Sequence, residues 1–291
     1  MFPVLKRFIN DQTWLDTWGD PLQRYVNSLF SDAGDSGKQV KNLLNGVWLG
    51  HPLHPVVTDV PVGAWTVTIV LDSLASLSDS EALESAADIT LATGFLAALG
   101  AAASGFTDWS DTYGDERKTG LLHGLMMLAT TGMYGCSLLA RLGGSRRTGV
   151  ALSNTAYAVM AAGAYLGGEE VFDIGYGVNH TAFRHGPDDY VAVLALDDLE
   201  TGKPTRADAK GTPVVLVKLG EQVYALDDTC VHAGCSLSGG TLDRATIICP
   251  CHGSQYDLRD GSVINGPATM PEPAYDTRVQ GGMVEVRRAG P

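Results

Sequence analysis

Four stretches of this 291-residue chain are apolar over lengths that cross a lipid bilayer, which takes about 20 residues of helix. They are Pro55–Ser78, Ile89–Thr107, Gly120–Ala140 and Thr148–Gly168. Asp59 and Asp72 lie near the two ends of the first, and the second carries no charge. A soluble bundle would show a polar stripe along each helix, and these stretches nearly lack ionisable groups on every face. The connections are short, so sequential neighbours run antiparallel and a four-helix transmembrane bundle is expected. Ala97, Ala98, Gly100, Ala101, Ala102, Ala103 and Gly105 make the second helix narrow, and small residues let helix backbones approach closely in lipid.

The flanks differ in kind. Ahead of the first span, Trp14, Leu15, Trp18, Leu22, Tyr25, Val26 and Leu29 recur at helical spacing between acidic and basic residues. Such a helix either lies in the headgroup layer or docks on the bundle, and Pro21 is expected to break or kink it. Behind the last span a Gly-rich joint leads to short β-type runs at Tyr190–Ala195, Pro213–Leu219, Gln222–Ala225, Thr246–Cys249 and Met283–Arg287. Runs at that spacing, separated by turn residues, read as a small sandwich or barrel. The fold class is α + β in two domains. The expected boundaries are an amphipathic segment at 1–50, the helical domain at 51–170, a linker at 171–187 and the β domain at 188–291. No internal repeat is evident. The net charge of −13 and the absence of a basic stripe exclude a nucleic-acid binder. The first thirty residues lack the apolar core of a secretory signal.

Four of the five cysteines and two of the seven histidines fall within residues 230–257. They form Cys230-x-His232 and Cys249-x-x-His252, with sixteen residues between. Two thiolates and two imidazoles suit either tetrahedral zinc or a [2Fe–2S] centre in which one iron takes the cysteines and the other the histidines. Zinc sites usually pair like with like, whereas each short pair here is mixed. Each loop then supplies one ligand to each iron, which favours the two-metal cluster.

At these residues the sequence resembles the Rieske iron–sulfur family, over roughly 188–288. CVHAGC and CPCHGSQYD resemble its two cluster-binding loops, and Gly266-Pro267-Ala268 its proline-containing loop. The resemblance implies Cys230 and Cys249 on one iron and His232 and His252 on the other. It also implies a disulfide between Cys235 and Cys251, as in the cytochrome bc-type members; soluble Rieske ferredoxins usually lack that pair. Ser254 and Tyr256 are implied as hydrogen-bond donors to a bridging sulfide and a ligand cysteine, which raises the potential. The expected cofactor is a [2Fe–2S] cluster in the upper half of the Rieske range, and the expected partners are redox proteins.

GHPLHPVVTDVPVGAW and the later FTDW resemble a family of bacterial four-helix membrane domains of unassigned function, covering roughly residues 46–180. His51, His54, Asp108, His123, His180 and His185 all map to the bundle side where the N-terminus and the β domain attach. For His54, Asp108 and His123 three readings stand: ligands of a haem or metal, a quinone-head pocket, or interfacial polar residues capping helices. His180-x4-His185 resembles half of an oxygenase iron site, but its acid partner is missing, so a complete oxygenase is not expected. Lys38, Lys41, Arg117, Lys118 and Arg184 on that side, against Arg141, Arg146 and Arg147 on the other, place it in the cytoplasm. The sequence therefore describes a multi-pass membrane electron carrier, coupled to quinol or a respiratory-type complex. An oxygenase-feeding ferredoxin tethered to the membrane, or a redox sensor, is the alternative.

Overall fold

The computed structural model describes residues 3–290. The chain forms two compact units. One gathers the chain up to residue 37 with residues 52–174, and the other gathers residues 38–51 with the chain from 175 onward.

Seven α-helices occur among the described residues: α1 (Pro3–Asn10), α2 (Thr13–Ser31), α3 (Gly34–Asn45), α4 (Leu53–Ser78), α5 (Glu81–Trp109), α6 (Gly114–Leu142) and α7 (Arg146–Glu169). Three of them, α4, α5 and α6, are long and apolar enough to cross a membrane. The expected fourth span, α7, has 24 residues, about 36 Å of helix, but does not reach the apolarity of the others. Arg146, Arg147, Ser153, Asn154 and Thr155 dilute it. The helices also start earlier and end later than hydropathy suggests. Glu81 and Glu84 stand in the first turn of α5 and Asp115 and Glu116 in that of α6, where acids suit the helix dipole.

The bundle is built from a repeated hairpin that the letters of the sequence conceal. The buried positions of α4 are Pro61, Trp65, Thr68, Asp72 and Ala75, and those of α6 include Thr130, Tyr134, Ser137 and Arg141. The first four are each 69 residues from their counterparts. In α5, Ala87, Leu91, Gly94, Ala98, Ala101 and Ser104 are buried; in α7, Gly149, Ser153, Ala156, Met160, Gly163 and Leu166. That offset is a constant 62 residues. The hairpins α4–α5 and α6–α7 thus bury the same positions with different side chains. Equivalent residues of α4 and α6 meet. Trp65 stacks on Tyr134 with centroids 4.0 Å apart, and Arg141 grips Asp72 with two hydrogen bonds of 2.9 and 2.5 Å. Asp88 and Arg146 complete that cluster, Arg146 reaching Asp72 at 3.0 Å and Arg141 reaching Asp88 at 2.8 Å. Two of the basic residues that the sequence places in a loop are therefore committed to ion pairs in the bundle.

Pro21 lies inside α2 without ending it. The helix docks through Leu15, Gly19 and Gln23, all buried. Gln23 donates to the carbonyls of Trp109 and Thr112, and Asn27 to that of Ser110, so α2 satisfies carbonyls that the end of α5 leaves without a helical partner. Trp14, Trp18, Tyr25 and Leu29 remain exposed. Docking and an amphipathic outer face coexist in one helix.

Among the described residues the second unit carries ten strands, twice the five expected: β1 (Val191–Ala195), β2 (Thr205–Ala209), β3 (Thr212–Leu219), β4 (Gln222–Asp227), β5 (Thr241–Asp243), β6 (Thr246–Ile248), β7 (Gln255–Asp257), β8 (Val263–Asn265), β9 (Ala274–Gln280) and β10 (Met283–Arg288). A six-stranded sheet runs β1-β10-β9-β4-β3-β2 and a four-stranded sheet β5-β6-β7-β8. Strands β5 to β8 have three residues each, too few for an alternating pattern to show. The central strand explains the layering. Val214, Val215, Leu216 and Val217 of β3 are all buried. Successive side chains of a strand point to opposite faces, so Val214 and Leu216 enter one core with Val223 and Ala225. Val215 and Val217 enter the other with Leu226, Ile247, Cys230, Cys249 and Tyr256. The candidate cluster residues therefore grow out of a packed core.

Candidate iron–sulfur centre

Two loops of one design carry the mixed Cys/His pairs. In the first, the Cys230 N–H donates to Cys235 O at 2.7 Å and Gly234 N–H returns to Cys230 O at 2.8 Å. In the second, the Cys249 N–H donates to Ser254 O at 2.8 Å and Gly253 N–H returns to Cys249 O at 3.1 Å. The glycine four residues after each cysteine has φ of +76° or +75°, a left-handed conformation that glycine adopts without a Cβ clash. Two equal turns thereby present one thiol and one imidazole each.

The expected residues meet in two groups, Cys230, Cys249, Ser254 and Tyr256 in one and His232 with His252 in the other. The Cys230 and Cys249 thiols hydrogen-bond to each other, which lowers Cys249 and, together with burial, pushes Cys230 up. His232 and His252 stand edge to face with centroids 4.8 Å apart. Burial and the neighbouring His252 and His180 push His232 down to about 3, so it is neutral and has a lone pair to offer. Its Nδ1 is buried without a hydrogen-bond partner, a costly arrangement unless something else takes that lone pair. Cys235 and Cys251 lie at disulfide distance, S–S 2.00 Å, across the two loops. The Tyr256 hydroxyl is 3.1 Å from Cys230 Sγ, and Ser254 Oγ accepts from the Ala268 N–H at 3.1 Å. Two thiols, two imidazoles and the orphaned ring nitrogen of His232 fit a [2Fe–2S] centre.

Other residues support the loops without a sequence signal. Glu272 is 1% exposed and its carboxylate accepts the Val231 N–H at 2.9 Å. Burial lifts its carboxyl well above the usual range. The His180 N–H donates to Val231 O at 3.1 Å, and Tyr176 meets the His232 ring edge-on at 5.6 Å. Asn42 of α3 accepts the Gly266 N–H at 2.9 Å, holding the proline-containing loop. None belongs to a local motif; each contact joins segments distant in sequence, except that His180 and Tyr176 fall in the expected linker.

The membrane-face triad is only partly assembled. His54 and His123 face each other with centroids 6.3 Å apart. Among the described residues no group of three or more His, Cys, Asp or Glu side chains is placed to hold a single metal ion; a [2Fe–2S] centre of this type asks for only two protein donors per iron, whereas Asp108 does not complete a three-ligand site with His54 and His123. Because α6 begins at Gly114, His123 sits well inside that helix rather than at its start. His51, His180 and His185 belong to the other unit.

Paired Cys–His loops on a two-sheet β unit define a Rieske-type electron carrier. The chain belongs to the Rieske [2Fe-2S] domain family, which it matches over residues 189–279, joined in one polypeptide to the predicted membrane protein family DUF2231, matched over residues 50–180. With that family comes a [2Fe–2S] cluster. Ferredoxin CarAc of Metapseudomonas resinovorans is 36% identical over 98 residues, 33% of this chain and 92% of that protein. The 3-phenylpropionate/cinnamic acid dioxygenase ferredoxin subunit of Escherichia coli K12 is 38% identical over 87 residues, 29% of this chain and 80% of its own length. Among solved structures, the ferredoxin of carbazole 1,9a-dioxygenase from Nocardioides aromaticivorans IC177 is 35% identical, covering 34% of this chain and 98% of that one with a TM-score of 0.33.

Proposed function

We propose that the protein is a membrane-anchored Rieske electron carrier in which Cys230 and Cys249 bind one iron and His232 and His252 the other. The observation that carries this reading is the pairing of the two thiols with each other and of the two imidazoles with each other, on loops of equal design. The cluster supplies one-electron redox chemistry when bound. The chain does the rest. Val215, Val217, Ile247 and Leu258, fully buried or nearly so, exclude water beneath the thiols. The Cys235–Cys251 bond and Glu272 hold the loops in place. The Tyr256 hydroxyl directs a hydrogen bond at the Cys230 sulfur, which stabilises added negative charge there and raises the potential. With the unit's Cys pair, that bond supports a potential in the upper half of the range of about −150 to +300 mV and a partner of the quinol or respiratory type. The helical unit is the anchor, with α7 completing four spans, so that both of its ends leave on one face, which the Lys/Arg bias assigns to the cytoplasm.

A second reading has its own support. The relatives named above are ferredoxins of dioxygenase systems, which favours electron delivery to an oxygenase. One experiment separates the two and tests the first premise. EPR-monitored potentiometry of the full chain in detergent, at several pH values, is expected to give a Rieske signal with a midpoint above zero that falls as pH rises. A pH-flat midpoint below zero supports the ferredoxin role. His232→Ala is expected to lose the signal while the helices stay folded by circular dichroism; a variant that keeps the signal refutes the ligand set.

A further inference from the structure

The two hairpins place one histidine each at the same position of the repeat. His54 and His123 are 69 residues apart in sequence, the offset that relates Trp65 to Tyr134 and Asp72 to Arg141. Their surroundings repeat as well. His54 Nδ1 lies 2.8 Å from Ala101 O on α5, and His123 Nδ1 lies 2.8 Å from Gly163 O on α7. Ala101 and Gly163 are themselves equivalent. Four residues further along each of those helices is a glycine against which the ring packs. A Cβ at Gly105 would meet His54 Cε1 at 2.7 Å, and one at Gly167 would meet His123 Cε1 at 3.1 Å.

The chemistry follows from the carbonyls. A carbonyl only accepts, so each Nδ1 carries the proton and each Nε2 keeps its lone pair. That is the arrangement by which a backbone carbonyl orients a metal-binding imidazole and raises its basicity. The spacing then discriminates. Two imidazoles on opposite sides of one metal ion, with bonds of about 2.0–2.1 Å, put their ring centroids roughly 6.4 Å apart. The observed separation is 6.3 Å, with the ring planes at 89°. No third His, Cys, Asp or Glu among the described residues joins them. Two imidazole nitrogens alone leave the remaining positions of an ion open, and a metal held this way brings its own in-plane ligands.

We propose that His54 and His123 are the axial ligands of a haem held between α4 and α6. The inference stands on the helical unit alone and does not depend on the reading of the iron–sulfur loops. Each hairpin contributes one ligand, one orienting carbonyl and one glycine, so the site is made by pairing the two halves of the repeat.

The test is spectroscopic. The full-length protein, purified in detergent after expression with added haem precursor, or titrated with hemin, is expected to bind one haem per chain. Its absorption spectrum should be that of a six-coordinate low-spin iron, and the pyridine haemochrome should identify the porphyrin. Perpendicular axial planes are expected to give a strongly anisotropic low-spin EPR signal in the oxidised protein. The Rieske signal appears only on reduction, so the two centres are read separately and either can fail alone. His54→Gly and His123→Gly should each abolish the six-coordinate spectrum, and added imidazole should restore it in a folded variant. His51→Ala should leave it unchanged. If the wild-type protein, helical by circular dichroism, takes up no hemin, the proposal is overturned. A double His54→Ala, His123→Ala variant that keeps the wild-type spectrum overturns it equally, as does copper or zinc bound without porphyrin.

Discussion

Replacing Tyr256 with Phe isolates one hydrogen bond at the candidate iron–sulfur centre. The side chain is 0% exposed, its hydroxyl is 3.1 Å from Cys230 Sγ, and its ring is part of the core beneath both loops. Phe keeps the ring, so the packing survives and only the donor is lost. A hydrogen bond to a charged acceptor is worth about 1.5–3 kcal/mol, against about 0.5–1.5 kcal/mol for a neutral pair. Reduction places more negative charge on the sulfur, so the bond is stronger in the reduced state by a fraction of that range, about 0.5–1.5 kcal/mol. One decade of equilibrium constant is about 1.4 kcal/mol and, for one electron, about 59 mV. The midpoint of Tyr256→Phe is therefore expected to fall by roughly 20–65 mV. Potentiometric EPR titration of the two full-length proteins in the same detergent measures it directly. A midpoint that does not move, or that rises, in a variant with an intact signal would refute the role given to this hydroxyl.

Two further outcomes follow from buried charge. Arg141→Met removes the bidentate partner of Asp72 at a site where both side chains are 2% exposed and leaves Asp72 only Arg146, at 3.0 Å; a loss below the about 3–5 kcal/mol of a fully broken buried pair is expected. Adding Asp72→Asn should recover most of it in detergent unfolding, and a double variant no better than the single one would count against the pair. Glu272 titrates in the opposite sense to a paired carboxylate. Its folded pKa lies well above 4.5, because burial disfavours the charged form. Stability should therefore decline as pH rises from the unfolded value through the folded one. Glu272→Gln, neutral throughout, should flatten that decline in the thermal midpoint of cluster absorbance as pH rises above the ordinary carboxyl range; identical slopes in both proteins would exclude it.

The candidate centre was legible in the sequence because its chemistry is local. Cys230 and His232 share one turn, as do Cys249 and His252, and spacing alone restricts what such pairs can hold. The apolar spans were legible for a related reason: length and hydropathy are properties of a continuous stretch, and lipid imposes them without reference to partners. The four three-residue strands were not legible, since three residues carry no period. The repeat was not legible either. Packing conserves which positions are buried, while Trp65 and Tyr134, Thr68 and Ser137, or Asp72 and Arg141 satisfy those positions with different letters.

What the sequence determined by itself was the spacing of the Cys/His pairs, three of the four apolar spans and the order of the two domains. The tertiary structure decided the rest, through contacts between segments that are remote along the chain. It brought Tyr256 to Cys230, Glu272 to Val231 and Asn42 to Gly266. It left Asp108 outside any three-ligand group with His54 and His123, and it set the rings of those two histidines with centroids 6.3 Å apart. Ligand types are written residue by residue, but a distance across a bundle exists only after the helices have packed, so the second histidine site becomes visible only in the folded molecule.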